Sequence, residues 1–141
     1  MIKPNDWLWE KFADNKDAVA AIAGSREVSY GKLTALIDRY FEQLQPQVQA
    51  QSITAIVSDY SPEAIALFFA LVRLEAIIVP ITLTNDDELQ QKLLESQADF
   101  HLSLDVGLDL QIKPVAKAQN NKRDLIVALR KQNANGLILF S

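Results

Sequence analysis

The chain has 141 residues, of which 49% are hydrophobic and 23% charged, and it carries a net charge of −4 without any cysteine. The hydrophobic fraction excludes an intrinsically disordered or low-complexity chain, and the acidic balance gives no reason to expect nucleic acid as a partner. The absence of cysteine excludes a disulfide framework, a thiolate nucleophile and a zinc knuckle.

The first third of the chain predicts a short helix, a β-hairpin and a long amphipathic helix. A short helix is predicted over 6–14, and two strands over 18–23 and 27–30 flank a Gly-Ser turn. Ser29 is a candidate N-cap for the long helix, whose apolar residues recur at intervals of three and four. Pro46 ends that helix, because proline cannot continue its hydrogen-bond ladder.

The middle of the chain predicts a strand, a helix and a second strand. The run 53–57 is apolar enough for a buried strand, and Ser61 followed by proline is a strong start for a helix that continues to about Glu75. This helix has almost no polar face, so we expect it to be buried between layers. The run 76–81 predicts another strand, with Pro80 at its exit rather than in its middle.

The last third predicts two helices and three strands. A helix is predicted over 86–97, where carboxylates in the first turn suit the positive end of the helix dipole. Weaker patterns predict strands over 100–104 and 110–115 and a helix over 124–132. The closing run 136–141 is continuously apolar after a glycine, which is typical of a strand covered on both faces.

Strands that alternate with helices of ten or more residues imply right-handed βαβ units. The predicted fold class is therefore α/β, with a mostly parallel sheet flanked by helices, in a single lobe over residues 1–141. In an open sheet of this kind the ligand lies beyond the carboxyl ends of the strands, so we expect residues after Ser141 to occupy the site of chemistry.

Candidate catalytic and metal-binding residues have structural explanations. The turn 58–62 stands where a dinucleotide fold carries its glycines, but it has none, and Asp59 would repel a phosphate. His101 is the single histidine, without a nearby acid or nucleophile in sequence, and is predicted to lie half-buried in or beside a strand. The acids at 86–88 are explained by helix-start capping rather than by a metal. We assign no catalytic residue and no metal ligand.

The order and spacing of several segments carry a resemblance to a known family. Segment 21–33, AIAGSREVSYGKL, is similar to the family's opening hairpin and its (T/S)Y-x-x-L helix start. Segments 53–58, 61–71 and 77–81 resemble its next strand, its long buried helix and its strand ending in v-P-l. The family is the adenylate-forming ligase superfamily: acyl-CoA synthetases, aryl-CoA ligases, luciferases and adenylation domains of peptide synthetases. Glu75 departs from the family's usual glycine, so the helix must be closed some other way.

The resemblance implies a fold, a reaction and a binding residue. The fold is the N-terminal lobe of the acyl-CoA synthetase-like fold. The parent enzyme would be an ATP- and Mg²⁺-dependent carboxylate–CoA ligase for a fatty or aryl acid, which forms an acyl-adenylate and then a thioester with CoA. The strand at 137–141 would lead into a Ser/Thr/Gly-rich loop that wraps the ATP phosphates, with Ser141 as its first residue and the one candidate cofactor-binding residue. The acyl pocket and the catalytic lysine would lie downstream, so the chain alone is expected to be inactive and to need no cofactor.

Two other classes of function remain as alternatives. One is a non-catalytic folded module that pairs its uncovered apolar edge with a partner chain or forms a homo-oligomer. The other is an unrelated Rossmann-like binder, which the missing glycine fingerprint disfavours. The N-terminus lacks the apolar core of a secretory signal, and no run reaches the ~18 apolar residues of a membrane span, so the expected location is cytoplasmic.

Overall fold

The computed structural model of the protein describes residues 6–82, 85–104, 109–115 and 136–139. Its helices are α1 (Asp6–Asp14), α2 (Tyr30–Leu44), α3 (Pro62–Arg73) and α4 (Asp86–Ser96). Its strands are β1 (Val19–Ala23), β2 (Arg26–Ser29), β3 (Ile53–Val57), β4 (Ile77–Ile81), β5 (Phe100–Leu104), β6 (Leu110–Pro114) and β7 (Gly136–Leu137). Apart from β7, these elements lie close to their predicted positions, whereas the helix predicted over 124–132 lies outside the described residues.

The described strands form two sheets. The larger sheet has the order β6-β5-β3-β4-β7, in which β3 pairs in parallel with β4 and β5, and β4 pairs in parallel with β7. Strand β6 is antiparallel to β5 at one edge. Strands β1 and β2 form a separate antiparallel hairpin. The predicted α/β class with a mostly parallel sheet is confirmed.

Helices cover the larger sheet on both faces. The connections β3-α3-β4 and β4-α4-β5 run in opposite directions along the sheet, so right-handed crossovers place α3 and α4 on opposite faces. Leu67 and Leu71 of α3 pack with Ile78 in one apolar cluster, which also contains the buried stripe of α2. Leu93 of α4 packs with Ile77 in a second cluster. The side chains of β3 alternate between the clusters, which explains why all of its residues are buried.

Helix α3 lies between the sheet and α2, as its apolar sequence predicts. Ala66, Leu67, Ala70 and Leu71 are completely buried. Partly buried against the same cluster are its residues Ile65, Phe68, Phe69 and Val72. A helix with almost no polar face is therefore stable here because both of its sides meet other apolar surfaces.

The end of α3 is closed without the family's glycine. Glu75 takes the left-handed backbone conformation, with φ of 64°, and its N–H donates to the Val72 carbonyl at 3.1 Å. The Ala76 N–H donates to the Leu71 carbonyl at 3.0 Å. These two bonds form a Schellman motif, in which glycine usually occupies the left-handed position.

Strand β7 differs from its prediction. The strand spans only Gly136–Leu137, and Leu137 and Leu139 are 51% and 69% exposed. The prediction of a strand covered on both faces is therefore wrong for these residues, although Ile138 does pack against the second apolar cluster. The physical reason is alternation along the strand: Ile138 points to the face covered by the second cluster, whereas Leu137 and Leu139 point to the other face and belong to neither described cluster.

None of the helices in the described ranges combines the length and the apolar character that a membrane crossing requires.

Candidate functional site

Topology places a candidate site at the carboxyl edge of the larger sheet. Strand β3 leads to α3 on one face, and the adjacent β4 leads to α4 on the other face. Neighbouring strands whose connections leave to opposite faces form the crevice in which open α/β sheets bind ligands. We call the residues that follow these strands, 58–61 and Thr82, the carboxyl edge.

Hydrogen bonds fix the loop after β3. The Ser58 N–H donates to the Ile81 carbonyl at 3.1 Å, so the ends of β3 and β4 are joined directly. The Ser58 hydroxyl donates to the Asp59 carbonyl at 2.9 Å. The Tyr60 hydroxyl reaches the β1–β2 hairpin and donates to the Ile22 carbonyl at 3.1 Å. The loop is thus held on both sides, while the Tyr60 ring is 66% exposed.

The amino end of α3 is capped by a side chain of its own. The Ser61 side chain accepts the Ala64 N–H at 3.0 Å, and Pro62 has no N–H to offer. Glu63 adds a carboxylate to the same turn. A phosphate group needs free donors and positive potential at a helix start, whereas here Ser61 occupies one donor, Pro62 lacks one, and Glu63 adds negative charge.

Glu63 also joins α3 to the hairpin. Its carboxylate forms an ion pair with the Arg26 guanidinium, and the Glu63 side chain is only 5% exposed whereas that of Arg26 is 49% exposed. The second carboxylate oxygen, Oε2, is buried without a hydrogen-bond partner among the described residues. We call the Arg26–Glu63 and Tyr60–Ile22 contacts together the hairpin latch.

Tyr40 lies in the electrostatic field of this ion pair. Burial raises the pKa of the Tyr40 hydroxyl, and the negative charge of Glu63 raises it further. The side chain is 2% exposed. Tyr40 therefore stays protonated and does not act as a base under ordinary conditions.

The hairpin latch could not be predicted, because its partners are far apart in sequence. A signal was present: Glu63 is an acid near the start of an otherwise apolar helix, and an acid that is buried in such a helix needs a cation. The identity of that cation, Arg26, depends on the tertiary packing of the hairpin.

The candidate residues named from the sequence lie apart from one another. His101 is half-buried in β5, as predicted, and burial, together with the positive charge of Lys113, lowers its pKa. The acids at 86–88 are exposed in the first turn of α4, where Asn85 accepts the Glu88 N–H at 2.8 Å. No group of three or more potential metal ligands occurs within the described ranges. Ser141 lies outside the described residues.

A depression of about 500 Å³ lies at the opposite, amino-terminal edge of the sheet, between residues 47–52 and 99–100. Its polar groups serve the fold: Asp99 accepts the Ile53 N–H at 2.8 Å, and the Gln51 side chain donates to the Glu75 carbonyl at 2.9 Å. It is also at the wrong edge for an α/β ligand site. We therefore assign it no ligand.

Comparisons with known proteins give the family. The family model described as AMP-binding enzyme matches residues 8–137. A search of the curated proteins found no match for the chain.

Solved structures give the fold. The N-terminal subdomain of NpsA from Klebsiella oxytoca matches with a TM-score of 0.67 and 20% identity, covering 100% of this chain and 32% of that one. The same subdomain in complex with 3-hydroxyanthranilyl-AMSN matches with a TM-score of 0.61 and 26% identity, covering 72% of this chain and 26% of that one. o-Succinylbenzoate CoA synthetase (MenE) from Bacillus subtilis, in complex with the acyl-adenylate intermediate OSB-AMP, matches with a TM-score of 0.62 and 24% identity, covering 71% of this chain and 27% of that one.

The chain spans at most 32% of the length of these proteins. The family model, in contrast, matches nearly the whole of this chain. The resemblance that the sequence carries is confirmed at the level of the family and of the fold. The protein belongs to the AMP-binding enzyme family, and its α/β fold is that of the N-terminal subdomain of adenylate-forming enzymes.

Proposed function

We propose that the chain is the N-terminal part of an ATP-dependent, adenylate-forming ligase for a small carboxylic acid. The observation that carries this proposal is the match of residues 8–137 to the AMP-binding enzyme family. In such a reaction the substrate carboxylate attacks the α-phosphate of ATP, pyrophosphate leaves, and an acyl-adenylate forms. The neighbours in complex with 3-hydroxyanthranilyl-AMSN and OSB-AMP support an acyl-adenylate as the intermediate.

In this proposal the described part of the chain serves as scaffold. Its carboxyl edge has no donor-rich phosphate site, and its acids do not form a Mg²⁺ site. Ser141 is proposed as the first residue of the loop that binds the ATP phosphates. Residues beyond it would supply the remaining contacts to ATP, Mg²⁺ and the acid.

Pyrophosphate exchange tests this proposal. We expect residues 1–141 alone to catalyse no carboxylate-dependent exchange between ATP and labelled pyrophosphate. We expect exchange from a protein in which the same chain continues through the codons that follow Ser141 in its gene. Exchange by residues 1–141 alone would contradict the placement of the site, and a longer protein without exchange on a broad panel of acids would contradict the function.

CoA is the proposed acceptor of the acyl group, which would make the parent an acyl-CoA synthetase. The likeness to o-succinylbenzoate CoA synthetase supports this choice, and the likeness to NpsA-ThdA, an artificially fused adenylation-PCP di-domain, keeps a carrier-protein thiol as the alternative. Mass spectrometry of the longer protein with ATP, an accepted acid and either thiol distinguishes them. An acyl-CoA product supports the proposal, and acylation of the carrier protein alone contradicts it.

A second candidate is a non-catalytic module that self-associates through β7. One observation favours it: Leu137 and Leu139 are exposed at a sheet edge without charge, whereas Lys113 and Pro114 protect the opposite edge on β6. Sedimentation of the chain tests it. We expect a concentration-dependent dimer that Leu137→Lys abolishes and that Leu94→Lys, at an apolar residue 63% exposed on α4, leaves intact. A monomer at every concentration would contradict this candidate.

The proposed location is the cytoplasm. The absence of cysteine supports a reducing compartment. Fractionation of the source cells with an antibody against the chain tests this location, and recovery outside the cytosol would contradict it.

A further inference from the structure

Pro80 is the penultimate residue of β4, near the exit of the strand as predicted, and Ile81 after it is still paired to Val57 of β3. Proline in an interior strand normally removes a hydrogen bond from the sheet. The ladder between β3 and β4 nevertheless continues past it in register from Ile53 to Val57. The lost hydrogen bond therefore belongs to the other side of β4.

Observed hydrogen bonds show which neighbour each residue of β4 faces. On the β3 side, the Ile77 N–H donates to the Ser52 carbonyl at 2.9 Å, and the Ile81 carbonyl accepts from Ser58 at 3.1 Å. On the β7 side, the Ile78 carbonyl accepts the Ile138 N–H at 2.8 Å. Odd-numbered residues of β4 therefore bond to β3 and even-numbered residues to β7.

Pro80 has the same parity as Ile78, so its backbone faces β7. Ile78 pairs with Leu137, and in a parallel ladder the next bond would join the N–H of residue 80 to the Ile138 carbonyl. Proline has no N–H, so this bond cannot form. The described ladder between β4 and β7 accordingly ends at Leu137, and Leu139 is 69% exposed.

We infer that Pro80 is a positioning residue that sets where the chain leaves the sheet after β7. An uninterrupted ladder would continue the register, with residue 141 opposite residue 82, and would hold the chain flat against β4 as far as the carboxyl edge. Without this bond the described ladder ends at Leu137. This inference rests on the proposed function for its meaning, because the proposed phosphate-binding loop begins shortly after this point in the sequence.

Nuclear magnetic resonance of the 141-residue chain tests the inference without any activity. In Pro80→Ala, the backbone amide gained at position 80 should donate to the Ile138 carbonyl. We expect a scalar coupling across this hydrogen bond, and hydrogen exchange at the introduced amide about tenfold or more slower than at the Leu139 amide. The Leu139 amide is the internal control, because by alternation it faces the outer edge of β7 and its exchange should not change.

Two further measurements keep the test decisive. Pro114→Ala, at an exposed proline on β6, is the matched control and should leave Ile138 and Leu139 unchanged. In the wild-type chain the Ile138 amide should already exchange about tenfold more slowly than the Leu139 amide, which can be measured even if Pro80→Ala does not fold. Fast exchange at the introduced amide of the variant, or equal exchange at Ile138 and Leu139 in the wild-type chain, would overturn the inference.

The longer enzyme gives a separate readout of function. There Pro80→Ala should raise the KM for ATP by about tenfold while the KM for the acid stays unchanged, because only the phosphate loop is displaced. An equal change in both KM values, or no change in either, would contradict the positioning role. Failure of the proposed function appears instead as absent pyrophosphate exchange in the wild-type enzyme, so the two failures are distinguishable.

Discussion

Two residues with left-handed backbone meet at the amino-terminal edge of the sheet. Gln51 has φ of 68° and Glu75 has φ of 64°, a conformation that is unfavourable for residues with a Cβ atom. The backbone N–H and the side-chain Nε2 of Gln51 both donate to the Glu75 carbonyl, each at 2.9 Å. These hydrogen bonds hold the strained pair in place, and they connect the start of β3 to the end of α3.

Replacing Glu75 by glycine should stabilise the protein. The left-handed conformation costs about 1–2 kcal/mol for a residue with a Cβ atom, and the extra backbone entropy of glycine costs about 0.5–1 kcal/mol, so the net gain is about 0.5–1 kcal/mol. Urea unfolding measures the free energy of unfolding of Glu75→Gly and of Glu75→Ala. The alanine variant removes the carboxylate but keeps the strain, so it should show no such gain. A glycine variant no more stable than the alanine variant would contradict this account.

His101 should reduce stability in mild acid. Its pKa is lowered in the folded protein by burial and by Lys113, so below its ordinary value of 6.5 the unfolded chain binds the proton more readily than the folded one. Above pH 6.5 His101 is neutral and does not lower the free energy of unfolding. Below pH 6.5 the unfolded chain takes up the proton first, so the free energy of unfolding decreases as the pH falls. Because the chain has one histidine, a proton NMR titration reads this pKa directly.

Two variants separate the causes. Lys113→Gln should raise the His101 pKa part of the way, because burial remains, and His101→Gln should remove the histidine component of the loss of stability as the pH falls below 6.5. A measured pKa at or above 6.5 in the wild-type protein would contradict this prediction.

At the scale of elements, the hairpin latch fastens β1 and β2 to the start of α3. Arg26→Met should lower the free energy of unfolding by about 1–3 kcal/mol, because it leaves the buried Glu63 carboxylate without its cation. Arg39→Met is the matched control: its partner Asp109 lies 3.8 Å away, and the two side chains are 60% and 70% exposed. The control should change stability by less than about 1 kcal/mol.

A double variant tests whether the unpaired Glu63 charge causes the loss of stability. Arg26→Met with Glu63→Gln removes both charges, so it should recover part of the stability that Arg26→Met alone loses. Chemical denaturation of the wild-type protein and these variants measures the differences. Equal effects of Arg26→Met and Arg39→Met would show that the hairpin latch contributes no more than a surface ion pair.

Elements whose signals are local could be predicted from the sequence, and those that depend on neighbours could not. Ser29 and Ser61 cap α2 and α3 as predicted, because a cap needs only the next three residues of the chain. The exposure of Leu137 was mispredicted, because an apolar run does not reveal whether both faces of its strand are covered. Which neighbouring strand the backbone of Pro80 faces could not be predicted either, because it depends on the register of β4 with both β3 and β7.

At the scale of the molecule, the candidate site could likewise be predicted only where its signals are local in sequence. The alternation of strands and helices was sufficient to predict a parallel sheet with a carboxyl edge. The sequence also predicted that the turn 58–62 lacks a phosphate site, and the bonds around Ser61 give the physical reason. The hairpin that fastens this edge could not be predicted, because the Arg26–Glu63 and Tyr60–Ile22 contacts join residues 37 and 38 positions apart.

The two apolar clusters on opposite faces of the sheet should unfold together. Ile77 faces the cluster of α4 and Ile78 faces the cluster of α3, and both side chains are almost completely buried. Each change to valine should lower the free energy of unfolding by about 0.5–1.5 kcal/mol.

For each variant, far-ultraviolet circular dichroism and tryptophan fluorescence should report the same decrease in the free energy of unfolding, although Trp9 packs only against the α3 cluster. The reason is that every residue of β3 is buried, so neither face can separate from the sheet without exposing the other. A loss for Ile77→Val that circular dichroism detects and fluorescence does not would show that the α4 face unfolds independently.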